Sequence, residues 1–225
     1  MTMTPLPIPF RRLWTKAFGV PDSSAPPATL LTPWDTAQEL KKMLDLGTIG
    51  KVYRICQEGL MLGKVDNRPS ALWHLAPRRI AVLLQLMGEP PSAVKAQGAS
   101  FLQPGSHDDI HLELGFSGER SAHIHVSWYW PEPVETVHVF GEKGMIVFDG
   151  ADQEFILHRK HLAGDLGSDR LALLDFGSYP LGSVSRPWSL DAPPGPDGGR
   201  TPRGPMRVEV TRVLEYADFQ LRHGT

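Results

Sequence analysis

The chain has 225 residues and a mass of 24.9 kDa, room for one large domain with tails. Its 22 glycines and 21 prolines make up about a fifth of the sequence, against about 12% on average. That excess excludes a plain helical bundle or coiled coil, while 41% hydrophobic residues still supply a core. A net charge of −2 and a pI near 6.5 give no basic footprint for nucleic acid. The single cysteine, Cys56, excludes an internal disulfide framework or a cysteine-based zinc site and fits a reducing, cytoplasmic setting.

The longest apolar run, Ile80 to Met87, is far short of the ~20 residues a membrane span needs, so no membrane partner is expected. Residues 1–33, with Pro5, Pro7 and Pro9, lack both a signal-peptide core and sustained periodicity; an irregular Pro-rich arm is expected. Arg11, Arg12 and Lys16 faintly resemble a transit peptide, but the proline spacing spoils an amphipathic helix.

From Trp34 to Leu46 apolar residues recur at helical spacing, and Gly47 stands where a glycine ends a helix. Gly50 to Cys56 alternates and reads as a strand, followed by a loop containing Gly59, Gly63 and Pro69. Ala71 to Met87 is helical, with Gly88 at its end; Pro77 predicts a short turn first and a helix beginning near that proline. Beyond residue 92 the period becomes two. Strands are predicted at Ala93–Gly98, around Leu112–Phe116, at Ala122–Trp130, Thr136–Phe140, Gly144–Asp149 and Glu154–His158. Ser117–Ser121 closes a hairpin that would pair Leu114 with Ile124, and Glu113 with His125 on the other face. Residues 181–206 read as a long Gly/Pro-rich loop, and Val210, Val213, Leu214, Ala217 and Leu221 form one face of a closing helix. The expected fold is α+β: an open, mainly antiparallel β-sheet with helices packed on one face, spanning residues 34–222.

Five segments, in order, resemble the C-terminal domain of the Gfo/Idh/MocA oxidoreductases. They are Leu44–Val52 (the D-x-G-x-I-G-K-V junction), Ala71–Ile80 (L-W-D-L-A-P-H-D-I), Leu86–Val94 (L-x-G-x-x-P-x-x-V), Val139–Asp149 (V-x-G-x-x-G-x-I-x-F-D) and Gly204–Glu209 (P-L-R-V-E). The resemblance implies a substrate-binding and oligomerising domain of a sugar or polyol oxidoreductase. Complete members place a Rossmann domain, with NAD(P) and a catalytic lysine, in front of it. These 225 residues hold no G-x-G-x-x-G turn, so no cofactor-binding residue is expected here. NAD(P) would act only if a Rossmann partner supplied its seat. The chain then resembles a module without independent redox activity. Two alternatives stay open: a subunit completing an oxidoreductase in trans with a separate Rossmann chain, or a repurposed lyase or isomerase that needs no nicotinamide.

The family's His-Asp pair falls on Arg78-Arg79, and an upstream acid falls on His74. Arginine stays protonated and cannot be a base. Arg78 and Arg79, with Trp73, are the expected substrate-binding residues for a sugar-like ligand; the competing reading is that the arginines are solvated or paired with a nearby acid. His74 is the one candidate acid/base on this segment, or a structural polar contact. His111, Glu113, His123 and His125 share a predicted sheet face with metal-ligand chemistry. An outer polar face, packed on a second subunit as the resemblance implies, is the preferred reading, so no metal is expected. Asp108 or Asp109 matches an acidic position of the family. Trp128 and Trp130 are expected in the core, and Cys56 on a strand, buried and inert.

Overall fold

A computed structural model describes residues 4–5, 34–62, 70–102, 104–150, 154–163, 173–183 and 205–223; for residues 4–5, 34–36, 160–163, 173–183, 205 and 207 it defines the backbone only. The expected Pro-rich arm, Thr4–Pro5 apart, and most of the 181–206 loop lie outside the described residues.

In chain order the elements are β1 (Thr4–Pro5), α1 (Trp34–Asp45), β2 (Val52–Leu62), α2 (Ala71–Met87), β3 (Ala93–Ala99), β4 (Asp109–Gly115), β5 (Ser121–Ser127), β6 (Tyr129–Gly141), β7 (Gly144–Asp149), β8 (Glu154–Ala163), β9 (Leu173–Ser183) and α3 (Pro205–His223). The strands form one open sheet in the order β1-β3-β4-β5-β2-β6-β7-β8-β9. Every pairing is antiparallel except β2 with β5. The three helices pack on one face: α2 lies over β5, β2 and β4, α3 over β3, and both α1 and α3 rest on α2. Among the described residues no helix is long and apolar enough to cross a membrane.

Alternation explains the layers. Ile110, Leu112 and Leu114 of β4 and Ala122, Ile124 and Val126 of β5 are fully buried under the helices. Their neighbours point to the opposite face. Val210, Val213, Leu214 and Ala217 bury the predicted face of α3. The Gln220 side chain docks that helix: its Oε1 accepts from Ala96 N at 2.7 Å and its Nε2 donates to Val94 O at 3.4 Å. α1 ends as expected, with Thr48 N reaching back to Met43 O, and α2 ends at Gly88, whose φ of +73° is the left-handed C-cap.

Five expectations need correction. Pro77 does not start a helix but sits inside one that runs unbroken from Ala71 to Met87. Nearly all of α2 is buried, and that packing outweighs the hydrogen bond the proline lacks. Gly59 does not break β2, which continues to Leu62, for a reason given below. The β4–β5 hairpin pairs Leu112 with Ile124, His111 with His125 and Glu113 with His123, two residues from the expected register, because the turn centres on Ser117–Glu119. The shift is even, so each side chain keeps its face. Finally, the alternation breaks at Trp128: this residue is buried, whereas Trp130, expected in the core, is 41% exposed. Trp128 lies between β5 and β6, where the chain crosses the end of β2. Cys56, expected to be buried, is half-buried on the outer face, and β1 and β9 had no expected counterpart.

Candidate functional site

The segment expected to line a ligand site forms the middle of α2. His74, Arg78 and Arg79 fall on successive turns, over the strands β2 and β6. Trp73 is partly buried and packs against the core.

Arg79 is 1% exposed. One guanidinium nitrogen, Nη1, donates to Leu75 O at 2.6 Å and the other, Nη2, to Glu135 Oε2 at 2.5 Å. Its own carbonyl accepts from Gln57 Nε2 at 3.1 Å. Glu135 stands directly opposite Gly59 in the β2–β6 ladder, and the guanidinium lies flat over that glycine. A Cβ built on Gly59 would come within 1.7 Å of Arg79 Cζ. Glycine in mid-strand here marks a close approach rather than a strand end. The arginine reaches its carboxylate only because position 59 has no side chain.

Arg78 is also buried, at 6% exposure. Burial pulls its pKa down to about 9, opposed by Glu135 and reinforced by Arg79. Burial likewise lowers Arg79, against the attraction of Glu135. The Glu135 carboxyl is raised by burial and held back by Arg79 and then Arg78. Two cations thus share one carboxylate under the helix layer. Removing that carboxylate would leave buried charge uncompensated, a loss of about 3–5 kcal/mol for a pair of this kind.

His74 meets Trp128, with ring centroids 5.7 Å apart. Trp128 Nε1 donates to His74 Nδ1 at 3.3 Å. An indole can only donate, so neutral His74 carries its proton on Nε2. In this arrangement Nδ1 of His74 serves as the acceptor for Trp128. The structure therefore brings together His74, Arg78 and Arg79 and adds Glu135, Gly59, Gln57 and Trp128. The sequence offered a signal for Glu135 in the unusual Trp130-Pro131-Glu132-Pro133-Val134-Glu135 stretch, but its partner lies 56 residues away.

α2 follows a strand, the position where a dinucleotide-binding fold cradles a pyrophosphate on free N–H groups. Here Ala71 N donates to His107 O, and Trp73 N and His74 N both donate to Ser70 O.

The outer sheet face carries the second cluster. His125 Nε2 lies 2.8 Å from Asp109 Oδ1, and His111 Nε2 lies 3.7 Å from Asp109 Oδ2. The His111 and His125 rings stack at 4.0 Å. His111 Nδ1 is 3.2 Å from His123 Nε2. Burial, then the neighbouring His111, push His123 down to about 4. Burial and His125 also lower His111. Glu113 turns to Arg54 at 3.2 Å instead. Asp108 points the other way: its carboxylate accepts from Phe101 N and Leu102 N and is buried in the β3–β4 loop.

Residues 37–147 match the model of the GFO/IDH/MocA C-terminal domain. No curated protein matches the sequence. Among solved structures, a protein described as an oxidoreductase from Magnetospirillum magnetotacticum MS-1 overlays with a TM-score of 0.56 at 24% identity, covering 84% of this chain and 60% of that one. UDP-N-acetylglucosamine 3-dehydrogenase GnnA from Acidithiobacillus ferrooxidans gives 0.58 at 17% identity, covering 84% and 64%. A protein described as an NADPH-dependent oxidoreductase from Desulfitobacterium hafniense DCB-2 gives 0.60 at 17% identity, covering 82% and 59%. These likenesses show the fold; the chain spans about three-fifths of the length of each.

Proposed function

We propose that this domain is the substrate-side and oligomerising part of a sugar or polyol oxidoreductase, and that these 225 residues do not bind NAD(P) by themselves. The observation that carries the reading is the family match over residues 37–147 combined with what replaces the family's proton-transfer pair. Arg78 and Arg79 are buried cations, Arg79 ion-paired with Glu135 and Arg78 within the field of the same carboxylate, so α2 supplies fixed positive charge beneath a ligand wall rather than a base. Trp73 and His74 are the less buried residues of that segment and are the ones proposed to meet a sugar-like ligand, His74 as a hydrogen-bond donor through Nε2. The nucleotide sugar in the name of GnnA belongs to a class with many hydroxyl acceptors, which such a donor suits. The unmatched open sheet face, with Trp130 and Phe140 exposed on it, is proposed to pack on a second copy, and the lone free thiol fits a cytoplasmic setting.

Calorimetric titration of NAD(H) and NADP(H) into the purified chain tests the cofactor half of this reading. No saturable binding is expected; tight one-to-one binding would overturn it.

A further inference from the structure

We propose that Asp109, His111 and His125 form a three-ligand site for a borderline divalent cation, of the Zn²⁺ type, on the outer face of the sheet. Asp109 and His111 are two residues apart on β4 and share a face. His125 stands directly across from His111 on β5. One ligand atom from each of the three lies within 4.8 Å of the other two.

Bonds of about 2.0–2.2 Å to imidazole nitrogen and carboxylate oxygen put tetrahedral ligand atoms roughly 3.3–3.5 Å apart. His125 Nε2 lies 2.8 Å from Asp109 Oδ1 and His111 Nε2 3.7 Å from Asp109 Oδ2, so each imidazole nitrogen is within a few tenths of an ångström of that spacing from one oxygen of the carboxylate. Small side-chain shifts on a regular two-stranded ladder are enough to admit the ion. Two imidazoles and one carboxylate suit Zn²⁺ and its surrogate Co²⁺, with a fourth position left to water.

A second contact marks His111 as a ligand. A metal-bound histidine donates its other ring N–H to an outer partner, which fixes the tautomer. With its proton on Nδ1, His111 donates to His123 Nε2 at 3.2 Å, and that tautomer leaves the Nε2 lone pair on the Asp109 side. His123 is thus a positioning residue. Trp130 sets its ring edge-on to His125 at 6.4 Å and walls one flank. The site lies on the face opposite α2, which is also the face proposed to pack on a second copy; ion binding is read by titration and self-association by sedimentation, so failure of one is distinguishable from failure of the other.

The test is titration of chelator-stripped full chain with Zn²⁺ by calorimetry and with Co²⁺ by visible absorption. One ion per chain and the intense bands of tetrahedral Co²⁺ are expected. His111→Ala, His125→Ala and the shape-preserving Asp109→Asn should each weaken binding at least tenfold. His123→Phe should weaken it roughly 10–100-fold, with His123→Gln, which keeps an acceptor, closer to the parent. Circular dichroism verifies that each variant is folded. No saturable binding of either ion, or binding unchanged in folded His111→Ala and Asp109→Asn, would overturn the proposal.

Discussion

At the scale of single residues, the most demanding contact is Arg79 over Gly59. The guanidinium cannot swing aside without releasing both Leu75 O and Glu135. Gly59→Ala is therefore expected to cost at least about 3 kcal/mol, the scale of a broken buried pair, read as a shift in the urea midpoint. In an Arg79→Ala/Glu135→Gln background the same alanine should cost far less, by a coupling of at least about 1 kcal/mol; equal costs in both backgrounds would rule out the contact as the cause. A gentler case sits at the β4–β5 turn. Ser117 donates through its hydroxyl and its N–H to Glu89, and Arg120 joins them. These bonds, the Ser117 hydroxyl first, hold the Glu89 carboxyl below its ordinary 4.5. A depressed carboxylate stabilises the fold above its unfolded pKa and loses that contribution as pH falls through the folded one. Thermal midpoints should accordingly drop more for the parent than for Glu89→Gln when pH is lowered from 7 to roughly 3. The sequence singled out positions 74, 78 and 79 because that segment is local and distinctive. The partners that define it were not, since Glu135 and Gly59 meet Arg79 only through strand pairing.

At the scale of elements, α3 is fastened to the sheet by one side chain as well as by its apolar face. β1 pairs with β3 only at Ala93 and Val94, and Gln220 takes the backbone of the same strand at Val94 and Ala96. Gln220→Ala would leave the Ala96 N–H unbonded; a loss of about 1–3 kcal/mol is expected, together with faster hydrogen exchange at that amide. Unchanged exchange would show that the bond is not made in solution. Element type was readable wherever a period was long and clean, as in β4, β5 and α3. It failed where a single residue carried a strong local signal that tertiary packing overruled: Pro77 inside α2, and Gly59 inside β2. The hairpin register slipped for a related reason, because the turn could be centred on either of two neighbouring sites with the same facial outcome.

For the molecule as a whole, the open sheet has one face under helices and, among the described residues, one without. Exposed Trp130 and Phe140 beside half-buried histidines are more apolar surface than a solvated antiparallel sheet usually shows. Sedimentation equilibrium should reveal concentration-dependent self-association, reduced by Trp130→Glu; a strict monomer at high concentration would count against pairing through this face. The fold class was legible from the order of helices, strand and meander. The strand order was not, because no local signal says that the early strand belongs in the middle.

That placement of β2 bears on how the chain is made. Ile55 pairs with Ala122 on one side and with Val139 on the other, so both edges of the strand find their partners only in sequence synthesised much later. Until residues 121–141 emerge from the ribosome, β2 is a strand with two open edges, the form most prone to join a neighbouring polypeptide. When they do emerge, β5 and β6 must straddle it from either side, bent around its end at Trp128. Closing the sheet is thus a late, long-range event, and its two wings become one body only when that early strand is gripped between them.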